Sequence, residues 1–342
     1  MQTTDPGSKA IMEAEIILKS KLSNPCYKKI MCSISGGADS DVLLDLVSRY
    51  DTEKKVEYVF FDTGIEYKAT KEHLRYLEEK YGIEIKKIRA EKPIPICCRK
   101  YGQPFLSKQI SEWIMRLQKH GFEWEDGTFE ELYKKYPKCK AALKWWCNMW
   151  PKKKNGSESV YNIAYTPYLK EFLQEYPPPF FISNKCCHFT KKLLAARYKK
   201  NNKIDLSMTG IRKAERGARQ QRYKTCFNTT SKGTDEFRPI FWFKKKDKEI
   251  YIETNQVTNS KCYTKYGLDR TGCACCPFGL NFEKELAAAK EYEPNLYKAA
   301  INIFGASYEY TRKYYEFREQ RKAKEHEKKD CSSRNHTEEK EG

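Results

Sequence analysis

Apolar residues in the first part of the chain fall into short unbroken runs separated by stretches of helical period. "KKIMCSI" (28–34) is continuous enough to be a strand covered on both faces. "VEYVFFDTG" (56–64) and "IEIKKIRA" (83–90) follow it, rich in β-branched and aromatic residues. Between them lies "DSDVLLDLVSRY" (39–50), a helix whose acidic start suits its dipole. In "YKATKEHLRYLEEKYG" (67–82), Leu74, Leu77 and Tyr81 share a helical face and Gly82 ends the helix. A further helix over 8–24, stopped by Asn24 and Pro25, precedes them all. Strand–helix–strand–helix–strand predicts right-handed crossovers and a parallel sheet.

The pattern breaks after residue 91. Residues 92–183 are rich in aromatics and prolines, with helical pieces near 105–120 and 128–149. Trp113, Trp124, Trp145, Trp146 and Trp150 predict a packed insertion rather than a linker. The α/β pattern resumes over 184–281, where "NKCCHFTKKLLAARYKK" reads as a helix opening on a Cys pair. "IDLSMTGIRKAERGAR" reads as a strand and an arginine-rich loop, "FRPIFWF" as strand or turn, and "KKKDKEIYIETN" as turn and helix. Residues 282–326 read as helices, and the polar stretch 327–342 as a tail expected to fray. The expected fold is α/β: a doubly wound, mostly parallel sheet with a helical insertion and a helical C-terminal extension, without internal repeats.

Charge and cysteine content narrow the chemistry. Among 342 residues, 65 Lys and Arg stand against 46 Asp and Glu, a formal net charge of +19. That excess favours polyanionic partners, nucleotides or nucleic acid, although a merely well-solvated surface is the plain alternative. The start of the chain has no basic-then-apolar leader pattern and no run is long enough to span a membrane, so a soluble cytoplasmic protein is expected. Fourteen cysteines in such a chain suggest metal or redox chemistry rather than disulfides, and they cluster at Cys97–Cys98, Cys186–Cys187 and "GCACCPFG" (272–279).

"SISGGADS" (33–40) sits between the first strand and the next helix. Glycines there let backbone amides approach an anion, and the helix start adds partial positive charge. Ser35, Gly36, Gly37, Asp39 and Ser40, with Ser33 just before them, are the candidate phosphate cradle. Neither the G-K-[ST] of a Walker loop nor G-x-G-x-x-G is present. The plain alternative is an ordinary strand-to-helix turn.

S-G-G-x-D-S resembles the pyrophosphate loop of the adenine nucleotide alpha hydrolase-like superfamily, whose enzymes act at or near a nucleotide α-phosphate. "VFFDTGIEYKAT", "TGIRKAERGAR" and "RPIFWFKKKDKEIYIETN" resemble segments of the phosphoadenosine phosphosulfate reductase family within it. The resemblance implies an adenine nucleotide, ATP or adenylyl sulfate, bordered by Asp62, Thr63, Gly64 and Gly210. It implies anion contacts from Arg212 and Arg219, catalytic roles for Asp39 and Arg212, and Mg²⁺ if ATP is used. A guanidinium suits that task because it binds phosphate or sulfate oxygens bidentately and stays charged.

Cys186–Cys187 followed by Cys273-x-x-Cys276 resembles the pattern of the iron–sulfur adenylyl sulfate reductases, which implies a [4Fe–4S] cluster on those four thiolates. Cys262 is an alternate ligand, similar to the upstream cysteine of the DNA phosphorothioation sulfurtransferases, and Cys275, Cys147 and Cys97–Cys98 are surplus sulfurs nearby in type. Zn²⁺ would also suit four thiolates, and buried cysteines without metal are the plain alternative. The thioredoxin-dependent reductases carry a C-terminal E-C-G-x-H nucleophile. Here only "KKDCSSRNH" stands there, leaving Cys331 as a weak counterpart, and Ala69 replaces the family's usual glutamate before Thr70. Three readings follow: a reductase of adenylyl sulfate or its 3′-phosphorylated form with a thioredoxin-like reductant, an ATP-dependent sulfurtransferase acting on nucleic acid or a small molecule with a cysteine desulfurase as donor, and a non-catalytic metal-containing nucleotide- or nucleic-acid-binding protein. Oligomeric state is not legible.

Overall fold

The computed structural model describes residues 6–215, 223–230, 233–279 and 281–338, with side chains placed over 9–327 of these. Two compact units divide the chain, one formed by residues up to 96, 187–276 and 281–300, the other by 97–186, 277–280 and from 301 on.

The first unit carries a single six-stranded sheet in the order β3-β2-β1-β4-β6-β5. Its strands are β1 (Ile30–Ile34), β2 (Val56–Asp62), β3 (Ile85–Arg89), β4 (Leu206–Thr209), β5 (Phe227–Asn228) and β6 (Asp235–Phe237). All pairings are parallel except β5 with β6. β1 is central, with Ser33 level with Val59 on β2 and Thr209 on β4. Its continuous apolar run is explained by that position: Ile30, Met31 and Cys32 are buried from both faces. Helices α1 (Pro6–Leu22), α2 (Ala38–Tyr50) and α3 (Lys68–Tyr81) supply the crossovers and the cover. Leu18, Val42, Leu46, Leu74 and Leu77 join Ile30, Tyr58, Leu206 and Phe237 in one core. Gly82 closes α3 in a left-handed conformation, φ 59°, as its sequence position predicts.

Strand order runs outward in opposite directions from β1 and β4. That makes the carboxyl ends of these two strands the switch point of the sheet, where open α/β folds leave a crevice. The glycine-rich loop leaves β1 at this point.

The run "FRPIFWF" takes both states its sequence allows: it is strand as far as Phe237, then turns, because Pro239 has no amide to give the ladder. The polar stretch from 327, expected to fray, is helical as far as it is described, within the helix Pro294–Glu338. Neither Gly nor Pro occurs between Gly305 and Gly342, and the run is rich in Glu, Lys and Arg, all good helix formers. This helix also crosses the division of units, so 282–326 is not one separate block.

The second unit is helical: α4 (Ile94–Tyr101) leads into it, followed by α5 (Lys108–Lys119), α6 (Phe129–Lys135), α7 (Lys140–Trp146) and α8 (Leu169–Glu175). Ser107 caps α5 and a Thr128–Glu131 capping box opens α6. Trp124, Trp145, Trp146 and Phe172 pack with Tyr310 and Tyr314, edge to face in several pairs. Trp150 departs from the packing expectation: it stays partly exposed on the loop after α7.

Candidate functional site

At the loop, Ser40 is the organiser. Its Oγ accepts from the amides of Ser35 and Gly37, each at 3.2 Å, and donates to the Gly37 carbonyl at 2.8 Å. Amides converging on one oxygen are the geometry an anion requires. Gly36 is needed for its backbone: φ is +67°, and an added Cβ would sit 2.9 Å from the Thr70 methyl. At Gly37 a Cβ would meet Thr271 Oγ1 at 2.7 Å. Gly210 presses on the loop from β4, where a Cβ would lie 2.6 Å from the Asp39 carbonyl oxygen.

Asp39 faces two cations. Arg212 Nε donates to Asp39 Oδ1 at 2.9 Å, and Lys248 Nζ stands 3.2 Å from the same oxygen. Glu215 accepts the Arg212 backbone amide at 3.1 Å. Sequence reasoning found Asp39 and Arg212 but missed Lys248, whose helix offered no motif. It also missed Tyr263. The amides of Ala38, the first residue of α2, and of Thr271 both donate to the Tyr263 hydroxyl at 3.2 Å. A phenol oxygen thus occupies the start of the helix that the loop feeds.

Behind the loop lies a buried hydrogen-bonded pair. His73 Nε2 and Asp41 Oδ2 are 2.8 Å apart, joining α3 to α2, with both side chains almost wholly enclosed. Burial pushes the Asp41 carboxyl above its ordinary value, and the His73 bond opposes that rise.

The turn after β2 is equally tied down. Asp62 accepts from the Gly64 amide at 2.8 Å, and the Thr63 amide and hydroxyl both donate to buried Glu66, at 3.0 and 2.6 Å. Gly64 has φ +86°, with a Cβ predicted only 2.6 Å from Pro93. Ser33 lies one strand-step back in β1, level with Thr209.

The cysteines divide. Cys187 ends α9 (Lys185–Cys187), and a π-helical turn, His188–Lys192, follows before α10 (Leu193–Asn201). Lys191 on that turn faces Cys273, Glu66 and Cys187, and the Cys273 sulfur is the main reason its ammonium is held more strongly than an ordinary lysine. Lys191 is exposed to solvent. Burial raises the Cys273 thiol, which Lys191 pulls back, and Cys273 also bonds to Thr63. Cys187, Cys273, Lys191, Glu66 and Thr63 therefore form one neighbourhood, three residues before Cys276. Cys275 turns away: with φ +53° its sulfur packs against Glu285 and Tyr67, and burial pushes its thiol up to about 12. Cys262 is buried against Thr70, 3.6 Å from its hydroxyl. Cys186, buried, is the last residue of the second unit before the chain returns to the first. Among the described residues, no group of three or more His, Cys, Asp or Glu is gathered as a metal site. Arg219 lies outside the described residues, and Cys331 outside the described side chains.

Lys191 was legible in principle. It stands four residues after Cys187, the spacing that keeps two side chains on one helical face.

A mostly parallel sheet with a phosphate-type loop at its switch point defines a nucleotide-binding α/β class. The chain belongs to the phosphoadenosine phosphosulfate reductase domain family, whose family model matches residues 29–278. It is 26% identical over 251 residues to the uncharacterized protein MJ0066 of Methanocaldococcus jannaschii, covering 73% of this chain and 36% of that protein, so it spans little more than a third of that relative's length. Among solved structures it is similar to the phosphoadenylyl-sulfate (PAPS) reductase of Candida auris in a phosphate complex, at TM-score 0.41 and 14% identity, over 78% of this chain and 91% of that one. It is similar also to the U34-tRNA thiolase NcsA of Methanococcus maripaludis with its [4Fe-4S] cluster, at TM-score 0.35 and 14% identity, over 91% and 80%. No helix among the described residues is long and apolar enough to cross a membrane.

Proposed function

We propose that the first unit binds an adenine nucleotide, ATP or an adenylyl sulfate, with its phosphates at Ser35–Ser40, and performs sulfur chemistry on it as a phosphoadenosine phosphosulfate reductase-like enzyme. One observation carries the reading. The segment Tyr263–Cys273 touches the loop at one end, through Tyr263 on the Ala38 amide, and the Asp62–Gly64 turn at the other, through Cys273 on Thr63. One short stretch of chain thus reaches both the candidate phosphate loop and the turn beside the Cys273 sulfur.

Each group has a task. The amides of the loop and the start of α2 bind the phosphates. Arg212 and Lys248 exchange Asp39 for the nucleotide's anionic end, where charge develops, a kind of fixed electrostatic support that is usually the largest part of catalysis. Asp39 holds both cations in place beforehand; if ATP is the substrate, the same carboxylate is the candidate to face Mg²⁺. Thr63 and Gly64 border the nucleoside.

Cys186, Cys187, Cys273 and Cys276 are the residues that would hold a [4Fe–4S] cluster. The donor set is all sulfur, Cys187 and Cys273 lie near enough to influence each other's charge, and Lys191 supplies positive charge beside them; Zn²⁺ is the alternative occupant. Bound there, a cluster supplies electrons or a site for sulfur. A thioredoxin-like reductant or a cysteine desulfurase would complete the respective cycles.

The net charge of +19 favours a second reading within the same site, an ATP-dependent sulfurtransferase acting on a nucleic acid. Anaerobically purified protein separates the two. Sulfite from adenylyl sulfate with thioredoxin supports the reductase; pyrophosphate from ATP supports the sulfurtransferase; neither nucleotide binding nor turnover contradicts both. Iron and sulfide content, read against zinc, decides the metal.

A further inference from the structure

The loop after α7 carries features that the nucleotide site does not use. Residues 138–154 contain six lysines, Lys138, Lys140, Lys144, Lys152, Lys153 and Lys154, and no acidic residue. Three aromatic rings sit among them on the surface: Trp150 is 38% exposed, Tyr161 43% and Tyr165 51%. Isolated exposed aromatics need no explanation. These are not isolated. The Trp150 and Tyr161 rings are 5.4 Å apart, Lys144 Nζ lies 5.7 Å from the Trp150 ring, and Lys153 Nζ lies 5.3 Å from the Tyr165 ring.

The loop is also built to hold them still. Asn162 is buried, accepts from the Trp150 amide at 2.9 Å and donates to the Trp150 carbonyl at 2.8 Å. Asn148 accepts from the Ala164 amide at 3.0 Å, and Lys153 donates to Ser157 at 2.9 Å to close the lysine-bearing tip. Glu158, the one carboxylate of the stretch 138–165, is held by Asn162, which keeps it below the ordinary carboxylate range. Its charge is thus met first by the loop's own side chain, with Lys152 a smaller influence, and one carboxylate leaves the six lysines in excess.

Rings held close to one another and to ammonium groups are what a flexible polyanion with flat bases fits. Bases stack on the π-faces while phosphates meet the lysines, and neither contact depends on sequence. An acidic peptide would use the lysines but not the rings. A membrane surface would call for an amphipathic helix with a continuous apolar face, and this is a clamped loop. We propose that the Trp150–Tyr161–Tyr165 face with Lys144 and Lys152–Lys154 is a docking platform for a single-stranded polynucleotide. Stacking on the rings and charge on the phosphates are shared by DNA and RNA, so both kinds of strand bind it comparably. This holds whichever reaction the first unit performs.

The test is fluorescence anisotropy of the full chain with a labelled fifteen-nucleotide strand of about fifteen deoxythymidines, its uridine counterpart, and a duplex of the same length. Both single strands are expected to bind, and the duplex more weakly. W150A with Y161A should weaken single-strand binding about tenfold or more, as loss of base stacking does. Replacing Lys152, Lys153 and Lys154 by alanine should lower the salt slope by about two, at roughly 0.7 per phosphate contact. All the changed side chains are at the surface, and unchanged far-UV circular dichroism verifies the fold. The proposal is overturned by undetectable single-strand binding, by duplex binding as tight as the strand, or by variants that bind like the native chain. Tighter association with phosphatidylserine vesicles, lost in the same variants, would overturn it in favour of a lipid surface.

Discussion

At Asp39 the chain commits a carboxylate to two cations in advance of any ligand, and that arrangement makes the residue-scale predictions sharp. The Asp39, Arg212 and Lys248 side chains are 22%, 11% and 20% exposed, so the ion pairs are largely shielded from water and removing one partner costs stability. Arg212→Ala, which leaves Lys248 on Asp39, is expected to cost about 1–3 kcal/mol of folding free energy and about a hundredfold in turnover. Urea unfolding and steady-state rates with ATP or adenylyl sulfate check the two halves separately. Asp39→Ala should abolish turnover with the circular dichroism spectrum intact; retained activity would remove the site. Gly210→Ala tests the backbone rather than the charges. Its Cβ would press on the Asp39 backbone at 2.6 Å, which cannot yield as a flexible side chain can. A loss of about 1–3 kcal/mol is expected, seen as a lowered urea midpoint. The residues legible in advance were those carried by a local motif, Ser35 to Ser40 and Arg212. Tyr263 and Lys248 reach the loop from far along the chain, and a single sequence gives no reason for a tyrosine after Cys262 to sit on a helix start.

The elements around the loop are joined by the His73–Asp41 pair, and its failure should be pH-dependent in a defined direction. His73→Ala leaves Asp41 enclosed without its partner, at a cost of about 3 kcal/mol or more at neutral pH. Burial already raises the Asp41 value in the folded state, and losing the imidazole raises it further. A raised folded value means that stability is retained below the unfolded carboxylate value of about 4 and lost as pH rises through the folded value. The deficit of the variant should thus be small near that acid limit and grow toward neutral pH, as measured by urea unfolding across the range. A deficit independent of pH would show that the variant loses only packing, including the stack of His73 on Tyr76. The strands of this layer were legible because a doubly covered parallel strand must be continuously apolar, as β1 is. β5 and β6 were not, since two or three residues carry no period, and the turn after Phe237 followed from one proline. The π-helical turn after Cys187 had no signature of its own, yet it carries Lys191, the side chain that faces both Cys187 and Cys273.

For the molecule as a whole, family and architecture were readable from the order of strands, helices and glycines, and the structure bears out the mostly parallel sheet. The division of the chain was harder to read, because the long helix Pro294–Glu338 serves both units without a break that composition would mark. Loss of metal is a whole-chain prediction. If the four thiolates hold a cluster, chelation of iron under air should bleach the visible absorbance and leave nucleotide affinity within severalfold, because Ser35–Ser40 makes no use of sulfur. The most direct test of the central claim reads the backbone amides themselves. Hydrogen exchange of the full chain, with and without ATP or adenylyl sulfate, should show new protection at Ser35–Ser40 and at Tyr263–Cys273 once nucleotide is bound. Nucleotide bound with protection confined to other segments, or exchange unchanged at saturating nucleotide, would contradict it.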